Sequence, residues 1–129
     1  MEYKKRFSIF LTSLIITLVL TRISLYFFPL ANFNVGSYNI HHFFTGALIL
    51  LGTSLFYLFD KINLYTLILG GIGAAWVVDE LVYLLFTNGT DQVYFTQTSF
   101  LGALGMSACV IVLVSILYFT KKNEKMGIK

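Results

Sequence analysis

The sequence predicts an all-α, polytopic membrane protein: a bundle of four transmembrane helices forming a single domain over residues 1–129. Three observations carry this. Of the 129 residues, 57% are hydrophobic and only 12% are charged, about half the charged share of a soluble domain, and the mean hydropathy is +0.81. Between Arg6 and Lys121 the apolar residues fall into four stretches, each near the roughly 20 residues that cross about 30 Å of hydrocarbon as a helix. The one cysteine, Cys109, excludes a disulfide scaffold, and the apolar content excludes a disordered chain.

The first helix is predicted over 7–28, directly after Lys4, Lys5 and Arg6. Its apolar run is about twice the length of a signal-peptide core and no small-x-small cleavage site follows Pro29, so an uncleaved anchor is expected. The second helix, 41–59, opens on His41-His42 and stops before Asp60-Lys61. The third, 64–86, carries Gly70, Gly71, Gly73, Ala74 and Ala75. The fourth, 99–120, carries Ser99, Gly102, Ala103, Gly105 and Ser107, with Ser99, Ala103 and Ser107 at four-residue spacing. Small residues let helix backbones approach closely in lipid, which predicts that helices 3 and 4 are tight neighbours and leaves room for a homo-oligomer.

Eight of the nine basic residues precede helix 1, lie in the turn between helices 2 and 3, or follow helix 4. Four spans place these segments on one side, and the positive-inside rule makes it the cytoplasm, with both termini there and the chain in the cytoplasmic membrane. The net charge of +3 thus reflects topology. No basic stripe with interleaved aromatics and no Gly-rich phosphate loop point to nucleic acid or nucleotide, so the expected partner is membrane lipid. The loops 29–40 and 87–98 are rich in aromatics, among them Phe33, Tyr38, Tyr94 and Phe95, as an outer interfacial belt would be.

Against this background three ionisable residues lie inside predicted spans: Arg22, Asp79 and Glu80. Such residues are rare in a bilayer and face the bundle interior or a cavity. All three fall about 9 to 10 Å below the outer ends of their helices, and His41 and His42 enter helix 2 from that same boundary. Asp79 and Glu80 point about 100° apart around the helix, so both face inward only if helix 3 is central. One carboxylate is expected to bond Arg22 while the other faces a cavity. One cation against two carboxylates leaves a buried negative charge, which a proton on a carboxylate, a protonated histidine or a bound divalent cation would neutralise.

Imidazole and carboxylate together are ligands for zinc, iron or manganese, making His41, His42, Asp79 and Glu80 a candidate metal set. In a catalytic version, His41, His42 and one carboxylate are ligands and the other carboxylate, Asp79 or Glu80, is the general base, with Arg22 as its ion partner or an anion contact. A lipid-like or headgroup-bearing substrate fits that depth. The residues leave two other readings open, a proton or cation conduit and a structural polar network.

The pattern also resembles a group of small prokaryotic four-helix integral membrane proteins. The resemblance rests on His41-His42-Phe43-Phe44-Thr45-Gly46, then Gly71-Ile72-Gly73-Ala74-Ala75 with Asp79-Glu80, then Asp91-Gln92-Val93-Tyr94-Phe95, and it covers about residues 39 to 105. In that group the first motif often reads His-Ile-His-His, whereas Asn39 stands in the leading place here. An amide is a weak transition-metal ligand, so a three-histidine site does not carry over. The resemblance implies that His41, His42, Asp79, Glu80, Asp91 and Tyr94 belong to one polar unit, and it implies no activity.

Overall fold

The computed structural model describes residues 1–28, 34–35, 38–87 and 94–125. The elements are α1 (Tyr3–Phe27), β1 (Asn34–Val35), β2 (Tyr38–Asn39), α2 (His42–Leu58), α3 (Leu64–Phe86) and α4 (Gln97–Lys125). The four helices are those expected, and α3 has the predicted bounds. α1 starts four residues earlier than predicted, because Lys and Arg are good helix formers and the turn closes with Arg6 N–H donating to the Glu2 carbonyl (3.0 Å). α4 likewise continues through Lys121 and Lys122.

Three helices, α1, α3 and α4, are long and apolar enough to cross a membrane. α2 has 17 residues, a rise of about 26 Å, and is two residues shorter than expected. Residues Asn34–Val35 and Tyr38–Asn39, read from sequence as plain loop, pair as a minimal antiparallel ladder with Asn34 opposite Asn39 and Val35 opposite Tyr38. The Gly36-Ser37 dipeptide between them is a hairpin signal that the helical reading passed over.

The helices alternate in direction. At one end Phe7 of α1 stacks on Tyr118 of α4 with ring centroids 4.7 Å apart, and Tyr57 near the end of α2 donates to the Thr66 carbonyl at the start of α3 (2.7 Å). This basic end holds Lys4, Lys5, Arg6, Lys61 and Lys121. The opposite end gathers Arg22, the start of α2, the last turns of α3 and Ser99 of α4.

α3 is the central helix, as the two adjacent carboxylates required. Of its apolar window 56% is buried, against 6% in α1 and 11% in α4. Glycines set its crossings. A Cβ at Gly73 would stand 2.9 Å from the Gly46 carbonyl oxygen, and one at Gly46 2.8 Å from the Gly73 oxygen, so α2 and α3 meet backbone to backbone. A Cβ at Gly71 would come within 2.7 Å of the Phe10 carbonyl on α1. The glycines expected to serve the α3–α4 contact therefore serve α1 and α2. α4 does pack on α3 through Gly102, where a Cβ would overlap Val82, and it buries Ser99, Ala103 and Ser107, but Gly105 faces open space.

The buried apolar cluster is small: Leu14, Ala74 and Ala75, with Phe10, Leu18, Leu50 and Val110 against it. Most large side chains face outward, for example Leu48 at 69% exposure, as lipid, being as apolar as leucine, permits. At the α2–α3 turn, Lys61 N–H donates to the Phe56 carbonyl (2.9 Å) and Asp60 N–H to that of Tyr57 (3.1 Å), a Schellman motif with Asp60 at φ 55°. α3 then opens on a capping box in which the Asn63 side chain accepts from Thr66 N–H (3.0 Å) and the Thr66 hydroxyl from Asn63 N–H (3.0 Å).

Candidate functional site

The polar residues singled out in sequence do meet, around α3. Asp79 and Glu80 lie seven and six residues before Phe86, about 9 to 10 Å below that end of the helix. Arg22, five residues before the end of α1 at Phe27, reaches the same level, about 8 Å down. The histidines were expected above this level, at the boundary. The structure instead brings the first turn of α2 down to the carboxylates, which hold it there.

Asp79 is fully buried, at 0% exposure. Its Oδ1 accepts from Arg22 Nε at 2.6 Å; its Oδ2 lies 3.0 Å from His42 Nε2 and accepts from the Tyr94 hydroxyl. The carboxylate not bonded to Arg22 was expected to face a cavity; it is Glu80, 3% exposed. It faces α2: Oε1 is 3.1 Å from His41 Nδ1 and 3.3 Å from His42 Nδ1, and Oε2 accepts from the Phe43 backbone N–H at 2.7 Å. His41, at the N-cap of α2, makes no side-chain cap of its own, so a carboxylate of α3 satisfies a free amide in the first turn of α2 and opposes its positive dipole end.

His42 stands between the carboxylates with one ring nitrogen toward each.

Arg22 gathers the remaining elements. Its Nη2 donates to the Ser99 hydroxyl (3.3 Å), the Asp79 carbonyl (3.3 Å) and the Ser99 carbonyl (3.4 Å). Its Nη1 donates to the Tyr94 carbonyl (3.4 Å). The guanidinium also lies 4.4 Å from the Tyr94 ring centroid, a cation–π contact. Tyr94, grouped with the site by resemblance, is thus a member through its ring, its hydroxyl and its carbonyl. Asp91, grouped with it, lies outside the described residues.

Two participants escaped the sequence reading. Ser99, expected as a small packing residue, is fully buried and bonds Arg22. Tyr83, 1% exposed, packs edge-on against both His41 (5.8 Å) and Tyr94 (5.4 Å). Its position four residues after Asp79 on one helix face was the available signal.

All four carboxylate oxygens already face N–H or O–H donors. Among the described residues no group of three or more His, Cys, Asp or Glu side chains is arranged to hold a metal ion. A general base needs a carboxylate oxygen turned to its substrate, and here both pairs of oxygens are turned to the protein. No buried side-chain nitrogen or oxygen among the described residues lacks a partner. The arrangement is a closed lock joining α1, α2, α3 and the segment entering α4.

The lock borders open space at Arg22. Arg22 lines a cavity of about 290 Å³ with Ile23, Tyr26 and Phe27 of α1 and with Phe95 and Phe100. No family of known proteins, no curated protein and no solved structure matches this chain.

Proposed function

We propose that this is a four-pass protein of the cytoplasmic membrane, with both termini in the cytoplasm, that holds a lipid-like molecule in the outer leaflet beside Arg22. The orientation rests on the basic end, which the positive-inside rule assigns to the cytoplasm. The ligand rests on one observation, the cavity in which a guanidinium meets an aromatic wall. Ile23, Tyr26, Phe27 and Phe100 offer apolar surface to a chain. The network takes up most of the guanidinium N–H groups, so the ligand's polar part need supply one acceptor. An ester carbonyl or phosphate oxygen suits both that requirement and a depth of about 8 Å.

In this reading Asp79, Tyr94 and Ser99 aim Arg22, while Glu80 and the histidines keep α2 in place. The carboxylates are fully engaged, which supports holding the molecule over transforming it. A transmembrane conduit has less support: no Asp, Glu, Lys, Arg or His lies at residues 7–21, 43–59, 62–78 or 92–120, so the polar cluster has no charged continuation toward the basic end.

A phospholipid bearing a diazirine near its glycerol backbone, irradiated with the purified protein, should label the peptides around Ile23 and Phe100 above all others. Ile23→Trp fills the cavity without touching the network and should lower that labelling at least fivefold. Labelling spread evenly over the four helices, or unchanged by Ile23→Trp, would overturn the proposal.

A further inference from the structure

A second opening lies at the basic end, where α1, α3 and α4 part around an apolar groove of about 290 Å³. Phe7 and Phe10 of α1, Leu67 of α3, and Val114 and Leu117 of α4 line it. Arg6 and Lys121 line it too and are its only charged groups. The Arg6 guanidinium is carried over the Tyr3 ring, 5.4 Å from its centroid, and spends its Nε–H on the Met1 carbonyl (3.0 Å). Lys121 pairs with Glu124 at 2.7 Å, both well exposed, a pair that solvent screens and a stronger anion can displace.

The geometry points to a binding site for one anionic phospholipid, its acyl chain in the groove and its phosphate between Arg6 and Lys121. Charge argues for the headgroup. Among the described residues, seven basic residues at this end stand against Glu2, Asp60 and Glu124, and basic pockets between helices at a cytoplasmic face attract anionic lipid heads. The apolar lining argues for a lipid over a soluble anion, because a free phosphate would leave the groove unfilled. The volume, at the low end of the roughly 300 to 1,000 Å³ of small-molecule sites, suits part of one chain. Tyr57 and Ile62 complete the wall, and Tyr57 is held there by its bond to the Thr66 carbonyl. This site is separate from the Arg22 cavity and does not depend on the function proposed for it.

Native mass spectrometry of the full chain in detergent, titrated with phosphatidylglycerol or phosphatidylcholine, tests the assignment. The experiment is run in the wild type and in Ile23→Trp, so that binding at the Arg22 cavity is counted separately. One phosphatidylglycerol should bind in preference to phosphatidylcholine in both. Each basic residue near an anionic group is worth about a fivefold change in affinity, so Arg6→Gln with Lys121→Gln should weaken phosphatidylglycerol about 25-fold and leave phosphatidylcholine unchanged. Glu124→Gln, which frees Lys121, should tighten it. In the Ile23→Trp background Val114→Trp should abolish binding of either lipid, and a melting temperature equal to that background shows that the groove and not the fold was lost. Equal binding of the two lipids, a preference that survives the double Gln variant, or competition by glycerophosphoglycerol without chains would each overturn the proposal.

Discussion

Replacing Arg22 with methionine keeps an unbranched apolar stem and removes the guanidinium. What remains is Asp79, at 0% exposure, deprived of the cation 2.6 Å away. Removing one partner of a buried ion pair costs about 3 to 5 kcal/mol. The lower end applies here, because His42 and Tyr94 still address Oδ2 of Asp79. The lost bonds to Ser99 and to the Tyr94 carbonyl add little, since an interhelical hydrogen bond in a membrane protein averages about 0.6 kcal/mol. A destabilisation of about 3 kcal/mol is therefore expected, nearly all of it electrostatic. Arg22→Met combined with Asp79→Asn should be less destabilised than the sum of the singles by at least about 1.5 kcal/mol, because the stranded charge has gone. Unfolding by SDS in mixed micelles, followed through the fluorescence of Trp76, reads this directly. Trp76 is the only tryptophan, and its indole N–H bonds Thr21 of α1 at 3.0 Å, next to the substituted residue. Arg22→Met within 1 kcal/mol of wild type, or a double variant that is simply additive, would refute the electrostatic account.

The same titration checks the helix crossings and turns. Gly73→Ala puts a Cβ 2.9 Å from the Gly46 carbonyl oxygen; backbone cannot yield as a side-chain tip does, so α2 should move out at a cost of about 1 to 3 kcal/mol, with faster exchange of the Phe43 amide. Gly52, with nothing within 4 Å, is its control, and Gly52→Ala should leave stability unchanged or raise it. Asn63→Ala removes the cap of α3 and should cost about 1 kcal/mol, with Asn63→Asp retaining most of it. Asp60→Gly relieves a positive φ of 55° and should stabilise by a few tenths to about 1 kcal/mol, whereas Asp60→Val should destabilise.

Depth is a one-dimensional quantity, and depth was legible. Counting residues from each helix end placed Arg22, Asp79 and Glu80 at one level, and two consecutive carboxylates required α3 to be central. Direction around each axis was not legible, since it depends on which neighbour stands where. That is why Gly71 and Gly73 were assigned to the α4 contact instead of α1 and α2, and why the carboxylate not bonded to Arg22 was given a cavity instead of the backbone of α2. The length of α2 escaped for a related reason. His42 is polar and reads as interfacial, but a carboxylate on a central helix can draw a polar helix start inward. Ser99 was invisible as a site residue because its partner is 77 positions away and serine at a helix start has an ordinary local use.

The borrowed cap of α2 bears on how the chain is made. Synthesis delivers α2 before α3, so at that moment the Phe43 amide has no carboxylate, and His41 provides no side-chain substitute. An unpaired backbone group is costly in hydrocarbon, and 17 residues make a short span to begin with. The pair joined at Asp60 is thus the smallest unit that holds both this amide and its carboxylate, and Glu80 has to emerge before the bond can form.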